Sequence, residues 1–254
     1  MPTTLICTGP NFTNVVAPGL PAIANLKTLA FFGTSDDGIN GNRAPGGPAI
    51  AAVGAPVYDS NQANLGVQAG TTYVALDTQN TRDATMLAGG FTWMAVARMS
   101  HGAPGVASRG MIFGDYKVGG AGIASSWQLM CNGQSKCELY PGNVSRASIT
   151  QLISPITNFH CYAMTYTGGA AGTFTAYDFT ENPTTGVPVS YVASGQLSGT
   201  QSMHVGQVSS SENNATLPIE HSFVMDAHSV LSLATMVGVY NWAKANLARR
   251  GITC

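Results

Sequence analysis

From about residue 29 onward, short apolar runs alternate with clusters of Gly, Pro, Asn, Ser and Thr. The clearest run is FTWMAVARM, where Phe91, Trp93, Ala95 and Ala97 fall on one face and Met94 and Val96 on the other. It is apolar on both faces, so a central place in a sheet is expected. SSWQLMC and CELYP flank the loop NGQSK and read as a hairpin that sets Cys131 opposite Cys137. CYAMTY and TFTAYDF flank a Gly-Gly-Ala-Ala-Gly turn and read as a second hairpin. About fourteen such segments predict an all-β sandwich of two facing antiparallel layers.

Both ends of the chain depart from this pattern. Residues 1–29, rich in Pro, Gly and Asn, read as an extended arm lying on its own domain or on a neighbouring subunit. The body, residues 30–254, ends in a helix of about residues 229–250. Its apolar stripe is expected at Leu233, Met236, Val237, Tyr240 and Leu247, with Lys244 at the same spacing. Ser232 is its expected N-cap and Gly251 its C-cap. No internal repeat is present.

Composition changes the picture through charge. Only 9% of the residues are charged and the net charge is −1, against about 25% charged in typical proteins. Either the surface is neutral and extracellular, or neighbours in an assembly cover it. The lack of a basic run argues against nucleic acid. No apolar run is long enough to predict a membrane helix, and the first residues do not read as a signal peptide. Five cysteines are an odd number, so at least one thiol is unpaired within the chain. Cys131 and Cys137 are the expected cross-strand pair under oxidising conditions.

Four stretches resemble concanavalin A-like, laminin-G-like jelly-roll domains: DDGINGNRAPGGPA with GTTYVALDT, then GGFTWMAVARM, then NFHCYAMTYTGGAAGTFTAYDFT, and finally MHVGQV with the closing strand and helix. Phe159 stands where that family often has Trp, Asp178 is not followed by the usual Gly, and Thr235 replaces a capping Glu. The terminal YNWAKANLARRGI looks like laminin-G-like proteins carried on bacteriophage particles. The resemblance implies a non-enzymatic virion protein of the tail, baseplate or capsid surface. Its partners would be other virion proteins or further copies of itself, with host glycans as ligands and the arm and helix used for docking. A secreted lectin or adhesin module is the alternative, and a glycan hydrolase of the same fold a third reading.

Candidate chemistry is sparse. Exposed aromatic residues suited to a sugar are sought at Tyr116, Trp127 and Tyr140. Calcium, which the resemblance makes a fair question, would use Asp36, Asp37 and Asn40; no other cofactor is expected. No alternating strand is read as carrying two acids, so no catalytic residue is assigned. The five histidines, among them His160 beside Cys161, are expected to be structural.

Overall fold

The computed structural model describes residues 19–33, 41–59, 62–65, 75–81, 83–98, 109–114, 127–132, 136–141, 147–149, 157–169, 171–192, 202–206 and 219–254. The strands are β1 (Leu26–Phe31), β2 (Ala51–Val53), β3 (Val57–Asp59), β4 (Gln62–Leu65), β5 (Ala75–Thr81), β6 (Phe91–Arg98), β7 (Arg109–Gly114) and β8 (Trp127–Asn132). They continue as β9 (Lys136–Pro141), β10 (Ala147–Ile149), β11 (His160–Tyr166), β12 (Thr173–Asp178), β13 (Val189–Val192), β14 (Ser202–Gly206) and β15 (Ile219–Ala227). Helix α1 spans Ala84–Gly89 and α2 spans Leu233–Ala248. One sheet has the order β13-β12-β11-β6-β15-β4-β3, with β1 added on β15; the other has the order β10-β9-β8-β7-β14-β5-β2. Every pairing described is antiparallel. The fold is an all-β sandwich.

β6 lies between β11 and β15, and its two faces serve two cores. Phe91, Trp93, Ala95 and Ala97 fill the space between the sheets with Phe113, Met164 and Tyr166. Met94 and Val96 face the other way, where Cys161, Phe223, Met225 and Tyr240 join them. α2 therefore adds a third layer to the two expected. Its buried residues are Met236, Val239, Tyr240, Trp242, Ala243 and Leu247. The expected stripe is rotated: Leu233 is 42% exposed, while Val239 and Trp242 point inward. Ser232 caps the helix by accepting from the Thr235 N–H. The chain turns at Gly251 (φ +77°), and the Ile252 N–H returns to the Leu247 carbonyl.

The described part of the arm lies on its own domain. Leu20, Ile23 and Leu26 pack into the helix-side core. Gly238 has no side chain, and a Cβ there would stand 2.7 Å from Pro21 Cγ. Residues 1–18 lie outside the described residues. The helix is covered on its inner face by the sheet and is crossed by this segment.

Two β-bulges meet across the sandwich. Ile112 is skipped in the pairing of β7 with both β8 and β14. Ser222 is skipped in the pairing of β15 with β6. A bulge leaves ladder groups unpaired. Here the His221 Nε2–H, from β15, donates to the Ile112 carbonyl of the opposite sheet at 2.7 Å. The bulge also shifts the phase of β15: Ile219 faces the inter-sheet core before it and Val224 after it. Asp226, further along β15, is fully buried. His228 Nε2 stands 3.5 Å from it, beyond a good hydrogen bond, and burial raises the Asp226 pKa above the usual carboxylate range.

Cys131 and Cys137 are direct Cα partners in the β8–β9 hairpin. Directly opposed residues sit about 4.5–5.5 Å apart, which suits a disulfide. Oxidation of the whole chain is expected to link this pair. Peptide mapping by mass spectrometry would show the linked Cys131–Cys137 peptide; alkylation of both thiols after oxidation would count against it.

Candidate functional site

Where α2 ends, the outer face of the first sheet is left partly open. A cleft of about 460 Å³ forms there, lined by Arg98, Asn158, Phe159, His160 and Thr180 on one side. The tail Gly251, Ile252, Thr253 and Cys254 makes the other wall. This volume is within the usual range for small-molecule sites, about 300–1,000 Å³.

Arg98 and Glu220 are cross-strand partners on β6 and β15. Arg98 Nε donates to Glu220 Oε2 at 2.5 Å, and the guanidinium carbon stands 4.4 Å from the Phe159 ring centroid. Glu220 is nearly buried and Arg98 about one-third exposed. Two contacts thus hold the planar guanidinium, and the bond through Nε leaves its terminal amino groups for the cleft. Phe159 is covered by this cation and is no open platform for a sugar.

His160 opens β11 on the inter-sheet face, where it stacks on Tyr162 at 5.7 Å. Cys161, next along the strand, points to the helix side. Strand alternation therefore separates the two, and they form no dyad. His160 Nδ1 faces Asp178 Oδ2 at 2.7 Å and Glu181 Oε1 at 3.9 Å. Asp178 is fully buried, and its other oxygen accepts from the Thr180 and Glu181 N–H groups at 3.0 and 3.3 Å. These bonds shape the turn after β12 where the family's usual Gly is missing.

His160, Asp178 and Glu181 also bring their ligating atoms within 4.8 Å of one another. Calcium prefers an all-oxygen shell, which an imidazole does not supply. Both Asp178 oxygens already accept hydrogen bonds, one of them facing His160 Nδ1, so this carboxylate is committed to holding the ring. The two thiols nearby are buried and unreactive in type: burial raises Cys161 well above its ordinary range and pushes Cys254 up to about 11.

Asp36, Asp37, Asn40 and Tyr116, sought from the sequence, lie outside the described residues. Trp127 and Tyr140 belong to β8 and β9 of the other sheet; their backbone is described and their side chains lie outside the described residues. β15 does carry two acids, contrary to the sequence reading. Glu220 and Asp226 sit near its two ends, about 20 Å apart at a strand's rise per residue, too far to share one glycosidic bond. Arg98, Glu220, Asp178 and the tail carry no local motif, and the sequence reading did not find them.

No protein-family model matches the sequence, and no curated protein matches it. The fold is similar to the botulinum neurotoxin serotype D binding domain, with a TM-score of 0.58 and 11% identity, over 89% of this chain and 53% of that one. It is similar to the binding domain of botulinum neurotoxin DC in complex with SialylT, with a TM-score of 0.56 and 9% identity, over 85% and 51%. It is also similar to Trypanosoma rangeli sialidase in complex with sialic acid, with a TM-score of 0.56 and 11% identity, over 85% and 32%. This chain thus spans about half the length of the toxin domains and a third of the sialidase, and at such identities what is shared is the jelly-roll β-sandwich fold.

Proposed function

We propose that this chain is a non-catalytic recognition module that binds a surface glycan in the cleft at the end of α2, and that it is carried on the surface of a bacteriophage particle. The observation that carries the binding role is the held guanidinium of Arg98, over the Phe159 ring and braced by Glu220, at the wall of a cleft. The similar binding domain of botulinum neurotoxin DC in complex with SialylT supports a lectin-like use of the sandwich. Among the described residues at the cleft, Asp178 is sealed from solvent with both oxygens engaged, which does not suit it to attack or protonate a substrate.

Two observations support carriage on a particle. The low charge leaves broad neutral surface for contact with other subunits. Val57 on β3 and Val192 on β13 are about 60% exposed, and these are edge strands of one sheet. Free monomers usually protect such edges with charge.

Arg98→Lys tests the binding role, since it keeps the charge opposite Glu220 and loses the planar fork. On a glycan array the wild type is expected to bind at least one glycan class, and the variant to bind it at least tenfold more weakly, about 1.4 kcal/mol. Unchanged binding by the variant, or turnover of the bound glycan, counts against the proposal. The particle role predicts a fixed copy number in purified virions, read by quantitative mass spectrometry; absence from the particles removes it.

A further inference from the structure

Two cysteines far apart in sequence meet where the tail lies on the body. Cys161 on β11 and Cys254 in the tail are both buried free thiols, and both belong to the helix-side core. Each is fixed against the same neighbours. The Phe179 N–H donates to the Cys161 carbonyl at 2.9 Å, the Phe179 ring stacks on Tyr240 at 5.9 Å, and the Tyr240 hydroxyl donates to the Cys254 carbonyl at 3.3 Å. On the other side, the Cys161 N–H donates to Thr180 Oγ1 at 2.9 Å, and Thr180 and Cys254 line the same cleft.

The electrostatics of the thiols agree with that placement. Burial raises the Cys161 pKa most, and Cys254 raises it further, ahead of Asp178. Lys244 and Asp178 act on the Cys254 thiol as well. Charge interactions fall off with distance, so the two sulfurs share one neighbourhood in the core. The tail is also turned toward this point: the Ile252 N–H donates to the Leu247 carbonyl at 3.1 Å, which lays residues 252–254 back along α2.

We propose that Cys161 and Cys254 form a disulfide site that fastens the tail to β11 when the chain meets a disulfide oxidant such as oxidised glutathione. Cys254 stands at the cleft wall, so its thiolate attacks one glutathione sulfur; a mixed disulfide forms and one glutathione leaves. The Cys161 thiolate then attacks the Cys254 sulfur, and the second glutathione leaves as the protein bond forms. The two protein thiols give up two electrons and two protons, which turn the glutathione disulfide into two thiols. Burial keeps both cysteines protonated, so on the folded chain the exchange is slow and waits on openings of the tail. The bond joins β11 to the tail across β12 to β15 and α2, a long loop of the kind whose closure constrains the unfolded chain most. It also pins one wall of the cleft, and it is independent of whether that cleft takes a glycan.

The test reduces the whole chain, incubates it folded with oxidised glutathione, blocks remaining thiols by alkylation in acid, and maps the peptides by mass spectrometry without reduction. The expected product is the linked Cys161–Cys254 peptide. A disulfide requires Cα atoms within about 7 Å, so the bond is a strict check of the placement. Alkylation of both thiols, a bond from either to Cys7, Cys131 or Cys137, or a glutathione adduct that persists on Cys254 overturns the proposal. Thermal melts read the fastening. The melting temperature gained on oxidation is expected to be about 5 °C or more larger in the wild type than in Cys254→Ser, a difference from which any Cys131–Cys137 bond cancels. Equal gains with the bond present would show that it joins the tail without fastening it, and would overturn that part.

Discussion

Acidification from pH 6.5 to 4 is expected to remove about 3 kcal/mol from the folded state through His221 alone. The imidazole is fully buried, and burial pushes its pKa from 6.5 down to about 4, against the opposing pull of its bond to the Ile112 carbonyl. A histidine depressed in the folded state contributes stability that is complete above pH 6.5. It is lost as pH falls, because the unfolded chain takes a proton that the folded one refuses. Asp226 acts in the opposite sense: its raised pKa makes the folded chain the better proton acceptor, so it gains stability on acidification. His221→Gln separates the two, since glutamine offers an N–H at similar reach and does not titrate. In urea titrations at pH 7 and pH 4.5, the variant is expected to lose about 2 kcal/mol less than the wild type between the two. Equal losses would rule out His221 as the acid-sensitive group. His221→Leu leaves the Ile112 carbonyl without its donor and is expected to cost about 1–3 kcal/mol already at pH 7.

Gly90→Ala should cost more, on the order of 4 kcal/mol. Gly90 ends α1 at φ +82° and ψ 176°, a conformation almost confined to glycine. A Cβ there would meet the Tyr166 carbonyl oxygen at 2.1 Å and Val230 Cγ2 at 2.5 Å. The first of these is backbone of β11 and has nowhere to go. The preceding Gly89 supplies the control, because a Cβ at that position meets nothing within 4 Å. Gly89→Ala is therefore expected to be neutral or to stabilise by up to about 1 kcal/mol. In thermal melts the two variants should differ by roughly 10 °C or more. Similar melting temperatures would mean that the β6–β11 junction yields more easily than its contacts indicate.

These two sites show where a sequence of this kind is legible. The faces of β6, both hairpins and the Ser232 cap follow from alternation, turn composition and capping chemistry, all of which act within a few residues. Helix α1 was missed although Asp83 caps it through the Met86 N–H; six residues are too few to show a period. The phase shift of β15 at Ser222 breaks a two-residue rule that has no means of anticipating an extra residue. The rotation of the α2 stripe depends on where the helix crosses the sheet, which Leu233 and Lys244 do not encode locally. The cleft was least legible. It joins the end of β6, the start of β11, the turn after β12 and the tail, positions 98 to 254, through pairings set by the whole sandwich.

The pairing of β1 has a consequence for how the protein is made. Leu26 opposes Ala227, and β15 is the only strand that β1 pairs with among those described. During translation this early apolar strand has to wait for about 200 further residues, some 10–40 s at ordinary elongation rates. Until then its backbone edge is open to any passing chain. The nascent polypeptide is thus most prone to aggregation before its last strand leaves the ribosome, and a chaperone that shields residues 26–31 would help most in that interval.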